Sequence, residues 1–191
     1  HVEDPRGSPD EHAGRDARPL ACLGRRIADN VGMGRGPRLE QPPGGVKLTF
    51  DVSMWPLALI RMPAFTTTAD IEYMQECYDR IFDAPSKHAL LVDTTTIVSV
   101  PDAHLRRRVK EFEDSKRSII REKNIGSAIV LSNPLVRGAY TALRWISPQP
   151  APNKAFSNVR DAARWCVEGI QADGQNAPEA AYALAGMLAA V

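Results

Sequence analysis

Side chains able to do chemistry gather in three places along the chain. The first is the run Asp93-Thr94-Thr95-Thr96-Ile97-Val98-Ser99, just ahead of Pro101 and Asp102. Ser99 stands three residues before Asp102, the spacing of an N-terminal capping box, in which a hydroxyl satisfies a free N–H of a helix's first turn. The same position supports a second reading as a phosphoacceptor, because a helix N-terminus offers N–H groups and partial positive charge to an anion. Asp102 opposes that reading by repulsion. Thr94, Thr95 and Thr96 are alternative acceptors, or β-branched residues that close a strand. Asp93 ends an apolar run, the place where open α/β sheets bind other molecules; it equally suits a loop cap.

The second place is the helix expected after Pro101. Between Asp102 and Lys123, eight basic residues stand against five acidic ones, with Arg106-Arg107-Arg108 at the front. A solvated helix laced with salt bridges and a docking surface for an acidic partner both fit. No aromatic residues interleave with the charges to stack on bases, so nucleic acid is not expected. The third place is Arg137, Tyr140 and Arg144, spaced i, i+3, i+7 on a predicted helix. That stripe lies about 100° round from the apolar one. It suits a protein interface, where Arg and Tyr are enriched, or a surface helix with snorkelling side chains.

Reactive centres are harder to assemble. His88 and His104 belong to no metal spacing and no nucleophile–base pair. Cys22, Cys77 and Cys166 are too few and too scattered for a disulfide scaffold or a zinc site. Gly32-Met33-Gly34-Arg35-Gly36 has a glycine rhythm without a preceding strand, so it does not read as a phosphate loop. No catalytic residue, metal or cofactor is expected.

Composition sets the frame for these residues. The 191-residue chain has a net charge of +1 and is 43% hydrophobic, with no apolar run long enough for a bilayer. A cytoplasmic protein is the expectation. Residues 1–45 hold 8 of the 13 glycines, 6 of the 15 prolines and no aromatic residue. Only Val2, Leu20, Leu23, Ile27, Val31 and Leu39 there are Ile, Leu, Val or Phe, too few to offset the entropy of ordering. The segment 1–45 reads as a disordered Arg/Gly/Pro-rich tail. It lacks a secretory apolar core, and its seven acids argue against a mitochondrial presequence.

From Val46 onward, periodicity sets the elements. Val46–Asp51 alternates, Leu57–Met62 is apolar and ends at Pro63, and the pair predicts a hairpin. Thr67 and Asp70 form a capping box for a helix with Ile71, Met74, Tyr78, Ile81 and Phe82 inward. His88–Asp93 and Ser127–Ser132 read as strands buried on both sides. Between them runs one long helix with Leu105, Val109, Phe112 and Ile119 on its stripe. Asn133-Pro134 starts a third helix, Lys154–Phe156 is a last edge strand, and Asn158–Ile170 is a fourth helix. After a linker, Pro178–Val191 reads as an alanine-rich apolar helix, within a final segment 171–191. The order β-β-α-β-α-β-α-β-α predicts an α/β domain over 46–170, with a mostly parallel sheet of about five strands behind a leading hairpin.

This stretch resembles the STAS-like superfamily, the anti-sigma-factor-antagonist-like domains and their Sec14-like relatives, as an uncharacterised bacterial member. The resemblance rests on the element order, on the strand ending at Asp93 before a loop and long helix, and on Ser132-Asn-Pro-Leu-Val-Arg-Gly-Ala-Tyr-Thr-Ala-Leu-Arg-Trp145. Pro148-Gln-Pro150, Phe156 and Ala162-Ala-Arg-Trp165 add to it. It implies a non-enzymatic regulatory or scaffolding module that binds a protein partner or self-associates. In the antagonists, a Ser or Thr at the start of the second helix is phosphorylated by a kinase-like anti-sigma factor, which switches partners. The matching positions are Thr94, Thr95, Thr96 and Ser99, where this chain lacks the antagonists' Asp-Ser dipeptide. Partner contacts are expected at Asp93, Arg106, Arg107, Arg137, Tyr140 and Arg144. The Sec14-like relatives imply an alternative, a carrier or sensor of a small apolar ligand. That would need a cavity between the sheet and a helical layer, or beneath the C-terminal helix. An enzyme is the third reading.

Overall fold

Five strands form one mixed sheet whose spatial order follows the chain, β1-β2-β3-β4-β5. The structure, a computed structural model, describes residues 36–99, 101–132, 137, 138, 140 and 149–187. Strands β1 (Thr49–Asp51) and β2 (Leu57–Arg61) pair antiparallel, with Phe50 opposite Ile60. Then β2, β3 (His88–Asp93), β4 (Asn124–Val130) and β5 (Asn153–Phe156) add in parallel. This is the expected α/β fold with its leading hairpin.

Because each parallel strand is laid down on the same side of the last, right-handed crossovers place the connecting helices on one face. That face carries α1 (Thr68–Phe82), α2 (Ala103–Ser115) and α3 (Arg117–Lys123). Ala58, Ile60 and Leu90 meet Ile71, Met74, Cys77, Ile81 and Leu105 there. On the opposite face Leu57, Leu59, Leu91, Ala128 and Val130 meet α4 (Val159–Ala172) through Ala163, Cys166, Val167 and Ile170. The period-2 alternation of β2 and β3 thus feeds both layers. Helix α5 (Glu179–Leu184) adds Ala181 to the same α4 core, with Ala177 and Ala185 flanking it.

The last helix stops at Leu184, with Gly186 in the left-handed region at φ 62°, rather than running on from Pro178 to Val191. Three further elements differ from the periodicity reading, each where a side chain supplies a partner. The first strand starts at Thr49 rather than Val46, because the N–H groups of Lys47 and Leu48 donate to the Asp70 carboxylate at 2.7 and 2.9 Å. Strand β4 begins at Asn124 rather than Ser127. Asn124 is buried, and its Oδ1 accepts from Gly126 N at 2.9 Å across a register shift opposite His88/Ala89. The long second helix is two helices that meet at Lys116, with φ −100° and ψ 9°. Position 116 continues the stripe of Leu105, Val109 and Phe112, but a lysine cannot turn inward there. Its Nζ instead pairs with Asp79 at 2.5 Å, while Ser115 Oγ donates to Phe112 O at 2.7 Å and draws the last turn tight.

The third helix lies largely outside the described residues; within it Arg137, Gly138 and Tyr140 are helical. The expected positions Val136, Ala139, Leu143 and Ile146 lie outside them, as does the tail before Gly36. Contacts with the domain reach N-terminal of Val46. Tyr73 Oη donates to Glu40 O at 3.0 Å, Glu40 pairs with Arg80, and Leu39 packs on the α1 cluster.

Candidate functional site

At the carboxyl ends of β2 and β3 two loops lie side by side. Met62 N donates to Asp93 O at 2.9 Å and Val98 N to Ala64 O at 3.2 Å, which ties residues 62–64 to 93–98. Asp93 Oδ1 accepts from Thr95 N at 3.0 Å and Thr95 Oγ1 at 2.7 Å, so Asp93 caps its own loop. Thr94 Oγ1 donates to Val130 O, and Thr96 Oγ1 donates to Met62 O. All three threonine hydroxyls therefore hold the loop in place.

Ser99 differs from them. It is exposed on a bend and does not cap α2. Asp102 is the N-cap, its Oδ1 accepting from Leu105 N at 2.9 Å. The capping-box reading of Ser99 is thus corrected: the carboxylate one residue ahead of the helix fills the capping role directly. Of the four candidate acceptors, Ser99 alone presents a hydroxyl that is not engaged in holding the loop.

Two large apolar side chains stand out on these loops. Phe65 is 67% exposed and Val98 59% exposed. Sequence periodicity does not flag either one, because both lie in loops where no 2.0 or 3.6 repeat assigns a face. Arg106 and Arg107 are exposed on the first turns of α2. Arg106 Nη1 donates to Pro101 O at 2.6 Å, whereas Arg108 turns aside to Glu72 at 3.0 Å. Arg137 and Tyr140 are bound to the sheet's far strands instead: Arg137 Nη2 donates to Leu131 O at 2.8 Å, and Tyr140 Oη donates to Asn153 Oδ1. Leu131 directly follows Val130, the sheet partner of Asp93, so Arg137 is anchored beside the Asp93 end of β4; Arg144 lies outside the described residues.

Beneath the loop face, between the sheet and the α1/α2 layer, lies a cavity of about 610 Å³. Its interior is formed by Ile60, Met74, Leu90, Val92, Val109 and Ile129. Arg106, Arg107 and Lys110 line it as well, and Glu113 is its carboxylate. Burial pushes the Glu113 carboxyl above the usual range, against a hydrogen bond from Gln149.

Neither buried cysteine is activated. Burial pushes Cys77 upward and Cys166 up to about 12, so neither thiol ionises near neutrality. His88 is fully buried between Trp55 and Phe82, with ring centroids 5.6 and 5.9 Å away. His104 is exposed at the start of α2. Among the described residues no group of three or more His, Cys, Asp or Glu could hold a metal ion. No described helix is long and apolar enough to cross a membrane.

With the geometry in view, the chain can be set beside known proteins. A crystal structure of an uncharacterised protein of the DUF3478 family from Shewanella loihica PV-4 is 17% identical to it, with a TM-score of 0.49, covering 68% of this chain and 99% of that one. Its fold is described as SpoIIAA-like. That is the fold the STAS-like resemblance implies; the topology itself rests on the strand order and register given above. Pseudomonas aeruginosa DspI is 12% identical, with a TM-score of 0.27, over 74% of this chain and 66% of that one. No protein-family model and no curated protein matches the chain.

Proposed function

We propose that this domain is a non-catalytic regulatory or scaffolding module that binds a protein partner on the loop face at the carboxyl ends of β2 and β3. A SpoIIAA-like α/β fold is compatible with such a module. The observation that carries the reading is the pair Phe65 and Val98, exposed on loops that a hydrogen bond joins. Scattered apolar residues are ordinary on a surface. Two on adjacent, tied loops offer a pre-ordered apolar anchor, and ordering costs are already met before binding. Arg106 and Arg107, on the helix that follows, favour a partner that flanks its apolar contact with acidic residues.

Ser99 follows Val98 directly. A phosphate there adds about −1.5 to −2 charge beside the apolar anchor and would weaken its burial. Partner switching by phosphorylation is the regulation this arrangement suits.

Tagged full-length chain purified from its native host, as wild type and as Phe65→Ser/Val98→Ser, tests the reading by quantitative mass spectrometry with phosphosite mapping. A stoichiometric partner lost from the double variant is the expected result. The same protein set on both baits would overturn it.

A second reading, a carrier or sensor of a small apolar ligand, is favoured by the cavity of about 610 Å³, which falls within the roughly 300–1,000 Å³ of small-molecule sites.

A further inference from the structure

Resting on that second reading, we infer that the cavity takes a straight-chain carboxylate amphiphile, with its hydrocarbon between the sheet and α1/α2 and its head at Arg106 and Arg107. Three observations carry this. The walls are predominantly apolar, with Tyr78, Phe82 and Phe112 among the aliphatic side chains, and Met62 and Met74 can adapt to a flexible chain. The charge is polarised along α2. Arg106 and Arg107 line the cavity and are also solvent-exposed, which places them at its mouth. Glu113 lies seven residues on, about 10 Å along the helix axis, so it does not neutralise them.

The cations at the mouth also differ among themselves. Lys110 is paired with Asp114 at 2.5 Å. Arg106 donates only to the Pro101 carbonyl, and neither Arg106 nor Arg107 has a carboxylate partner among the described residues. An arginine without a carboxylate beside an apolar cavity matches a ligand that brings its own, since guanidinium binds carboxylate through two parallel hydrogen bonds. A neutral hydrocarbon would fill the interior and leave both guanidinium groups unused. An anion without a chain would meet only an exposed pair and bind weakly.

Isothermal titration calorimetry of the full chain at neutral pH, with decanoate, dodecanoate and decanol below their aggregation limits, tests this. Decanoate is expected to bind at least tenfold more tightly than decanol, and dodecanoate about tenfold more tightly than decanoate, because each buried methylene tightens binding about three- to fourfold. Arg106→Ala/Arg107→Ala should erase the preference for decanoate over decanol while keeping the dependence on chain length. Ile129→Trp, checked by circular dichroism to be folded, should abolish binding of all three by filling the interior.

Equal affinity for decanoate and decanol in the wild type would overturn the head-group assignment and leave the cavity reading standing. No binding of any of the three would overturn both. Binding unchanged in folded Ile129→Trp would put the ligand elsewhere and also overturn the inference.

Discussion

Single side chains on this fold do their work by accepting or refusing backbone partners. Asp70 is the clearest acceptor. Fully buried, it takes hydrogen bonds from Lys47 N, Leu48 N, Thr67 N and Thr67 Oγ1. Burial alone would raise its carboxyl, but these four donors outweigh that and hold it below the ordinary value. His88 is the opposite case: neither ring nitrogen has a hydrogen-bonding partner among the described residues. Burial, with a smaller contribution from Lys123, lowers its pKa from 6.5 to about 4. The folded state therefore binds His88's proton less readily than the unfolded chain does. Its stability contribution is full above pH 6.5 and falls away as the pH drops toward 4. The size is about 3 kcal/mol, from roughly 1.4 kcal/mol per pKa unit. Urea midpoints should therefore fall between pH 7 and 4 in the wild type and stay much flatter in His88→Phe, which keeps a ring between Trp55 and Phe82. Parallel pH profiles for the two proteins would refute this assignment. Protonation of Asp70, whose carboxyl is held below its ordinary value, adds to the loss in more acidic solution.

At the scale of elements, close approach decides what each strand tolerates. Gly126 in β4 lies under α4, and a Cβ there would stand 2.6 Å from Trp165 Cη2 and 3.1 Å from its Cζ3. The indole is a rigid plane packed beside Phe156, with ring centroids 6.0 Å apart, so the whole ring must shift to admit a Cβ. Gly126→Ala should cost about 1–3 kcal/mol by overpacking. Gly126→Ala/Trp165→Leu should recover most of that loss, and a double-mutant cycle by urea denaturation measures it. This contact was not legible in the sequence, which shows a glycine in a strand and nothing of what faces it. What was legible had a short-range cause. The capping box of Thr67 and Asp70 and the span His88–Asp93 are both found as expected, because spacing alone dictates them. The misread ends at Val46, Asn124 and Lys116 share the opposite property: each depends on a side-chain partner set by the tertiary fold. The loop face was legible only in part. Asp93–Ser99 was placed correctly ahead of α2, yet Phe65, the more exposed half of the apolar pair, sits in a loop where hydrophobicity predicts burial.

For the molecule as a whole, the sheet's two faces are finished differently, and the proposed binding of a ligand depends on that asymmetry. The centre of the α4 face is filled: Ala162, Ala163, Val167 and Ile170 are all 0% exposed against Leu57, Leu91 and Val130. The α1/α2 face instead holds the cavity of about 610 Å³, which reaches from Ile60 in β2 across to β4, where Ser127 and Ile129 are only half-buried. An apolar stripe in sequence says which side of a helix turns inward, not how tightly that side meets the sheet, so α2's stripe carried no sign of the space beneath it. The two faces should consequently respond differently to the same chemical change. Ile170→Ala removes atoms from a filled core and should cost about 3–4 kcal/mol, the lost transfer energy plus that of the new void. Ile129→Ala removes atoms that already border open space, so little new void is made and the cost should be about 1 kcal/mol or less. Equilibrium urea unfolding of the two variants beside wild type reads the difference directly. Equal losses at both sites would mean that the β4 end of the α1/α2 face is as tightly packed as the α4 face. The domain would then have no interior to offer a ligand, and binding would be confined to the loops above.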